Sequence, residues 1–225
     1  MLRAPLGLLG GTFDPIHMGH IQPALAARDA IGLRELRLLP NRLPPHRALP
    51  HCSAQQRLTM VRLAAAEFGL TVDERELHRH KPSWTVDTLE ELRRELPDTP
   101  LCFLMGMDSL LSLPTWHRWQ RLLELAHLVV SVRPGWDHKV AGETLQILLA
   151  EHETHTPEAL RNTLAGHIWF SANAPLALSA TDIRALLATG NDPGELLPQS
   201  VAEYIRQHGL YVGKRDAHDI IRAPR

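Results

Sequence analysis

Cysteine is nearly absent from this chain. Cys52 and Cys102 are the whole complement; two such residues make neither a disulfide framework nor a zinc motif, and their scarcity fits a reducing cytoplasm. A cationic excess is missing as well: 24 Lys and Arg face 25 Asp and Glu, for a formal net charge of -1. An extended nucleic-acid footprint needs a basic surface, so no nucleic-acid partner is expected, although a local phosphate site needs only a few cations and backbone donors. No apolar run reaches the length that crosses a bilayer, which argues against a membrane partner. The N-terminal MLRAPLGLLGGTFDP has too short an apolar stretch for a signal peptide and runs into a Gly-rich turn without a small-residue cleavage site. Internal repeats and low-complexity segments are lacking too.

What remains is an ordinary globular composition, 44% hydrophobic and 22% charged over 225 residues, enough to bury one core. Short apolar runs at residues 6–9, 36–39, 101–105 and 128–132 read as buried strands, each bounded by Gly, Pro or polar residues. Helical patterns lie between them: 21–31, with Pro23 tolerated in a first turn; 54–68, opened by a Ser53–Gln56 capping box; 85–96, ended by Pro97; and a helix around 119–126. The stretch 136–166 is helical in parts and lacks a strand pattern. Residues 168–170 and 176–178 suggest one more strand, and helices at 181–188 and 198–208 close the chain. Alternating strands and helices imply an α/β fold, a Rossmann-like doubly wound parallel sheet in a single domain over residues 1–213, with 214–225 as a mobile C-terminal tail. Ligands of such sheets sit at the carboxyl ends of the strands. Of the 14 histidines, His51, His78, His80, His127, His138, His152, His155, His167, His208 and His218 are scattered singly and read as solvated surface residues, not metal ligands.

The densest chemistry follows the first strand, in Gly10-Gly11-Thr12-Phe13-Asp14-Pro15-Ile16-His17-Met18-Gly19-His20. A glycine pair leaving a strand lets the backbone approach a ligand. His17 and His20 lie three apart, which puts both imidazoles on one side of the next helix's opening turn, beside unpaired N–H groups that favour anions and phosphate above all. Gly19 leaves room for a phosphate oxygen. The run is neither a Walker loop nor a dinucleotide fingerprint.

This run resembles the signature of the HxGH nucleotidylyltransferase superfamily, and Ser179-Ala180-Thr181-Asp182-Ile183-Arg184 resembles its second signature. Further segments are similar to bacterial nicotinate-nucleotide adenylyltransferases: 40–47 (PNRLPPHR), Ser83-Trp84-Thr85, Gly106-Met107-Asp108-Ser109, Pro114-Thr115-Trp116, Arg133-Pro134-Gly135 and the closing run from Tyr204-Ile205 to Gly209-Leu210-Tyr211. The resemblance spans about residues 6 to 212. It implies transfer of the adenylyl group of ATP to nicotinate mononucleotide, giving deamido-NAD and pyrophosphate in NAD biosynthesis. His17, His20 and Arg184 are the implied catalytic residues. Gly10, Gly11, Thr12, Gly19, Gly106, Asp108, Arg133, Ser179 and Thr181 are implied on the ATP side, and Mg2+ bridges the phosphates without a dedicated protein ligand. His46 and Arg47 are implied donors to the acceptor phosphate, Thr85 a helix-start receptor for the nicotinate carboxylate, and Trp116 a platform for the pyridinium ring.

Each element also has a plainer reading: Ser179 or Thr181 as a helix cap, Asp108 as N-cap of 109–111, and His46 and Arg47 as a basic surface loop. Trp119 and Trp84 read as packing, and His117 stands where the family pattern leads one to expect an aromatic residue. The loops around Pro44 and Ser83 are expected to close over substrate. Nicotinamide mononucleotide or another phosphate monoester is the rival acceptor, and a non-catalytic nucleotide-binding module the rival class. Association into a homo-oligomer is left open.

Overall fold

A computed structural model describes residues 2–42, 49–79, 82–132, 142–171 and 178–213. His46, Arg47, Arg133, the expected tail 214–225 and most of the expected 176–178 strand lie outside the described residues. Seven strands form one sheet in the order β3-β2-β1-β4-β5-β7-β6, and every pairing is parallel. The long strands are β1 (Leu6–Gly11), β2 (Glu35–Pro40), β4 (Leu101–Gly106), β5 (His127–Ser131) and β7 (Ile168–Ser171). The strands β3 (Thr71–Val72) and β6 (Glu153–Thr154) have two residues each. Helices α1 (Met18–Ile31), α2 (Ala54–Phe68), α3 (Thr85–Glu95), α4 (Met107–Leu111), α5 (Leu122–Leu125), α6 (Glu143–His152), α7 (Ala159–Asn162), α8 (Ala180–Ala188) and α9 (Gln199–Gln207) connect and cover them.

Both faces of the sheet are buried, which is why the strands read as unbroken apolar runs. Along β4, Leu101, Phe103 and Met105 enter one cluster with Val86, Leu89 and Leu92 of α3. Cys102 and Leu104 enter the opposite cluster, with Ala24, Ala27 and Ile31 of α1. A slip of one residue would exchange these two sets, so the pattern fixes the register. Order reverses at β1: α1 leads to β2 on one side, and β4 pairs on the other. The crevice at the carboxyl ends of β1 and β4 is therefore the switch point where a ligand is received.

Four expectations need correction. Helix α1 begins at Met18, not at residue 21, so Pro23 lies in the second turn and cannot donate to the Gly19 carbonyl. The stretch 136–166 does contain a strand, β6, too short to show a period. The helix expected around 119–126 is a 3-10 turn at Trp119–Arg121 followed by α5. His127 is no surface residue: it is fully buried, its Nδ1 accepting from the His167 N–H at 3.1 Å and its Nε2 lying 3.0 Å from the Thr163 carbonyl. The Ser53–Gln56 capping box of α2 is as expected.

Candidate active site

Strand β1 delivers Gly10 and Gly11 to the crevice. A Cβ on Gly11 would stand 2.8 Å from the Phe13 ring, and one on Gly10 would stand 3.4 Å from Phe103. Phe13 has a positive φ of 50°, uncommon for a side-chain-bearing residue. The strained turn brings His17 to the N-cap of α1. The His17 and His20 rings stack with centroids 3.7 Å apart, and His20 Nδ1 accepts the His17 backbone N–H at 3.3 Å. An accepting Nδ1 leaves Nε2 of a neutral His20 as its donor. His17 is 3% exposed, and its Nδ1 has no hydrogen-bond partner among the described residues. Burial lowers the His17 pKa to about 4, with Asp182 pulling the other way. Near neutral pH the ring is therefore uncharged, with an unsatisfied polar atom at a helix N-terminus.

The second signature meets the first. Ser179 caps α8: its Oγ accepts from the Asp182 N–H at 3.1 Å and donates to Asp182 Oδ2 at 2.6 Å. Leu178, just before the cap, puts its carbonyl 3.3 Å from where a Gly19 Cβ would stand. Arg184 Nη1 donates to the Asp14 carbonyl at 2.8 Å, and Nη2 donates to Thr181 Oγ1 at 3.2 Å. His17, His20, Gly19, Thr181 and Arg184 are thus brought together at two adjoining helix N-termini.

The proposed acceptor residues form a second group. Thr85 is the first residue of α3, with Trp84 at the N-cap, and the Trp84 and His117 rings lie 5.1 Å apart. His117 therefore has a partner that its sequence position did not suggest. Trp116 is half-buried, edge-on to Phe103 at 6.4 Å, with its indole N–H donating to Ser112 Oγ at 3.4 Å. Phe103 touches both the Trp116 side and the Gly10 side, so one ring separates the two groups. Trp119 and Trp84 pack against the core, as expected. Gly106 ends β4 and is the N-cap of α4; Asp108 is not the cap but an exposed acid in the first turn. Among the described residues no cluster of three or more His, Cys, Asp or Glu suits a metal ion.

Sequence reasoning missed the supports beneath this site. Arg57, 1% exposed, donates through Nη1 to the Thr12 and Asn41 carbonyls at 2.6 and 2.9 Å, and through Nη2 to the Arg42 carbonyl at 2.8 Å. Asn41 Nδ2 donates to Thr12 Oγ1 at 3.3 Å. The buried Asp14 carboxylate accepts from the backbone N–H groups of His51 and Cys52 and from the Tyr211 hydroxyl. One signal was available for Arg57. It shares an i, i+4, i+7 stripe with the buried Val61 and Ala64 of α2, where a cation is out of place.

The profile of the cytidylyltransferase-like family matches residues 8–186. A protein of Aeromonas salmonicida named "Probable nicotinate-nucleotide adenylyltransferase" is 67% identical over 212 residues, covering 94% of this chain and 99% of that protein. The chain belongs to the nicotinate-nucleotide adenylyltransferase family. A family member from Psychromonas ingrahamii with the same name is 47% identical, over 92% of this chain and 96% of its own. The fold has a solved counterpart in a Plasmodium falciparum nicotinic acid mononucleotide adenylyltransferase complexed with NaAD, with a TM-score of 0.68 at 16% identity, covering 93% of this chain and 98% of that one. No helix among the described residues is long and apolar enough to cross a membrane.

Proposed function

We propose that this chain transfers the adenylyl group of ATP to nicotinate mononucleotide, forming deamido-NAD and pyrophosphate in NAD biosynthesis. A phosphate oxygen of the acceptor attacks the α-phosphorus of ATP, the α–β bridging P–O bond breaks, and its electrons leave on pyrophosphate. The acceptor is already an anion, so the enzyme's task is positioning and charge stabilisation, without a covalent intermediate.

His17 and His20 contact the ATP phosphates, with the 10–12 backbone and Gly19 giving close approach; the buried His17 Nδ1, without a hydrogen-bond partner among the described residues, can donate to a phosphate oxygen as its Nδ1–H tautomer. Arg184 and Thr181 hold the departing pyrophosphate. Ser179 reaches it only by yielding its bonds to Asp182, since both roles of its hydroxyl are taken by the cap. Gly106 and Asp108 serve the ribose side, and Arg133 the ATP side. Mg2+, if bound by the phosphate oxygens, would supply charge neutralisation without a dedicated protein ligand; the exposed Asp108 carboxylate would lie on that side of the site. Trp116 and Thr85 receive the pyridinium ring and its carboxylate, and His46 and Arg47 the acceptor phosphate.

The observation that carries this reading is the 2.8 Å bond from Arg184 to the Asp14 carbonyl, which joins two phosphate-handling segments 170 residues apart. The experiment is pyrophosphate release with ATP and Mg2+, offering nicotinate mononucleotide, nicotinamide mononucleotide and phosphopantetheine in parallel. Release with nicotinate mononucleotide alone is expected. Preference for another acceptor overturns the roles of Trp116 and Thr85, and silence with all three, from folded protein, overturns the enzyme reading.

A further inference from the structure

The closing turn of the chain reaches back to the first signature. Leu210 and Tyr211 are buried in one cluster with Phe13 and Ile16 of the signature turn and Ile183 of α8. Tyr211 holds a left-handed φ of 65°, a conformation with a cost for a residue bearing a ring. Its hydroxyl donates to Asp14 Oδ1 at 2.8 Å, across 197 residues. The same oxygen accepts the Cys52 N–H at 3.2 Å, and Oδ2 accepts the His51 N–H at 2.6 Å. The His51 imidazole also lies 3.5 Å from Oδ2, and with Asp14 6% exposed little water competes for the carboxylate. The backbone carbonyl of the same residue receives Arg184 Nη1.

We propose that Tyr211 is a positioning residue for the adenylyl transfer, acting through Asp14 to set Arg184 against the departing pyrophosphate. The inference rests on the role given to Arg184 above. Its logic is mechanical. The bonds that aim Arg184 include those to the Asp14 carbonyl and to Thr181 Oγ1, and the first is only as fixed as the Asp14 peptide. That peptide leaves a turn with a positive φ at Phe13, where the chain has no regular ladder to hold it. The carboxylate is its anchor, and Tyr211 supplies a side-chain hydroxyl to it. Removing a single hydroxyl at position 211 should then misplace a guanidinium that Tyr211 never touches. It should spare the acceptor group built on Trp116 and Thr85, whose contacts run through Phe103 and α3.

The test is a double-mutant cycle on the full chain with Tyr211→Phe and Arg184→Ala, read by forward turnover, by KM for nicotinate mononucleotide, and by KM for pyrophosphate in the reverse reaction. Tyr211→Phe is expected to lower kcat and raise the pyrophosphate KM, each by about tenfold, because a small misplacement of a charge-stabilising group is costly. The KM for nicotinate mononucleotide should stay within about twofold, and the variant should add no further loss in the Arg184→Ala background. Val201→Ala, a truncation in the same apolar cluster on α9, controls for simple loss of stability. Parental kinetics in Tyr211→Phe, a full additive loss beside Arg184→Ala, or the same kinetic loss in Val201→Ala each overturn the coupling alone. Parental kinetics in Arg184→Ala overturns the Arg184 role itself, and the coupling with it. If Tyr211→Phe does not fold, Asp14→Asn, which keeps the side-chain size and weakens the same acceptor, is put through the same cycle with the same criteria.

Discussion

Arg57→Met is the substitution that tests most directly whether the phosphate loop is held from below. Methionine fills much of the same space but offers no donor. Its introduction leaves the carbonyls of Thr12, Asn41 and Arg42 without their guanidinium and takes a positive neighbour from Asp14. Removing one partner from a buried, hydrogen-bonded ionic network costs about 3–5 kcal/mol. A partial offset exists: Arg57 Nε is buried without a partner among the described residues, so its desolvation cost disappears with the side chain. The lower half of the range is therefore the better figure. For a chain of this length, 1 kcal/mol corresponds to roughly 2–4 °C, which puts the fall in thermal midpoint at about 6–16 °C. The kinetic consequence is specific. On the proposed roles Thr12 belongs to the ATP loop, so the KM for ATP should rise by about tenfold, while that for nicotinate mononucleotide should change little. Arg57→Lys should recover only part of either effect, because one ammonium cannot span three carbonyls as a planar fork does. Calorimetry and initial rates of pyrophosphate release read both quantities on the same preparation. A methionine variant melting within about 2 °C of the parent, with a parental KM for ATP, would refute the reasoning.

Gly19→Ala puts a methyl group 2.9 Å from His17 Nδ1 and 3.3 Å from the Leu178 carbonyl. Activity should fall by about a hundredfold, and the clash with the buried His17 ring should outweigh the gain in helix propensity, so the thermal midpoint should not rise; an active variant would show that the histidine pair tolerates displacement. His20→Ala should cut turnover by about 10²- to 10³-fold with little change in acceptor KM, whereas Trp116→Ala should chiefly raise acceptor KM, by about tenfold. The reverse pattern would mean that the two subsites have been exchanged. His17 and His127 both have pKa values lowered to about 4 by burial. Between there and the ordinary value of about 6.5 the unfolded chain binds protons that the folded chain refuses, so stability is full above that window and is lost as pH falls through it. Each histidine adds a slope of up to about 1.4 kcal/mol per pH unit. Denaturant melts of His127→Gln should show a correspondingly flatter dependence, and an unchanged slope would remove His127 from the account.

Legibility followed the length over which a physical pattern could repeat. The five long strands were readable because a parallel strand covered on both faces must be apolar throughout, and four or more such residues stand out. Thr71–Val72 and Glu153–Thr154 have no room for a period; they are edge strands made by backbone pairing to a neighbour already in place. His127 was misread for a related reason. A single polar residue at the start of an apolar run looks like the strand's solvated end, and only its bonds to Thr163 and His167, 36 and 40 residues away, make burial affordable. Pro23 was placed in a first turn because apolar periodicity starts at Ile21, whereas the helix starts where His20 reaches back to the His17 N–H.

The candidate site divides along the same line. Histidines, glycines and Arg184 stood out because they fall at a strand end or a helix start, where backbone donors favour phosphate, and these are local features. Their supports were not, because what Arg57, Arg184 and Tyr211 recognise at the site includes backbone carbonyls and one carboxylate brought together only by the closed sheet. A carbonyl has no sequence signature, so the residue that binds it shows itself only by standing in the wrong company. Arg57 does so, a cation on the apolar stripe of α2. Asp14 does so within a turn otherwise lined by Phe13, Pro15 and Ile16, all buried. A buried charge is too costly to keep without partners, and these two, of opposite sign, also lie near enough to interact. Their partners, the carbonyls of Thr12, Asn41 and Arg42 for one and the N–H groups of His51 and Cys52 for the other, come together only in the fold.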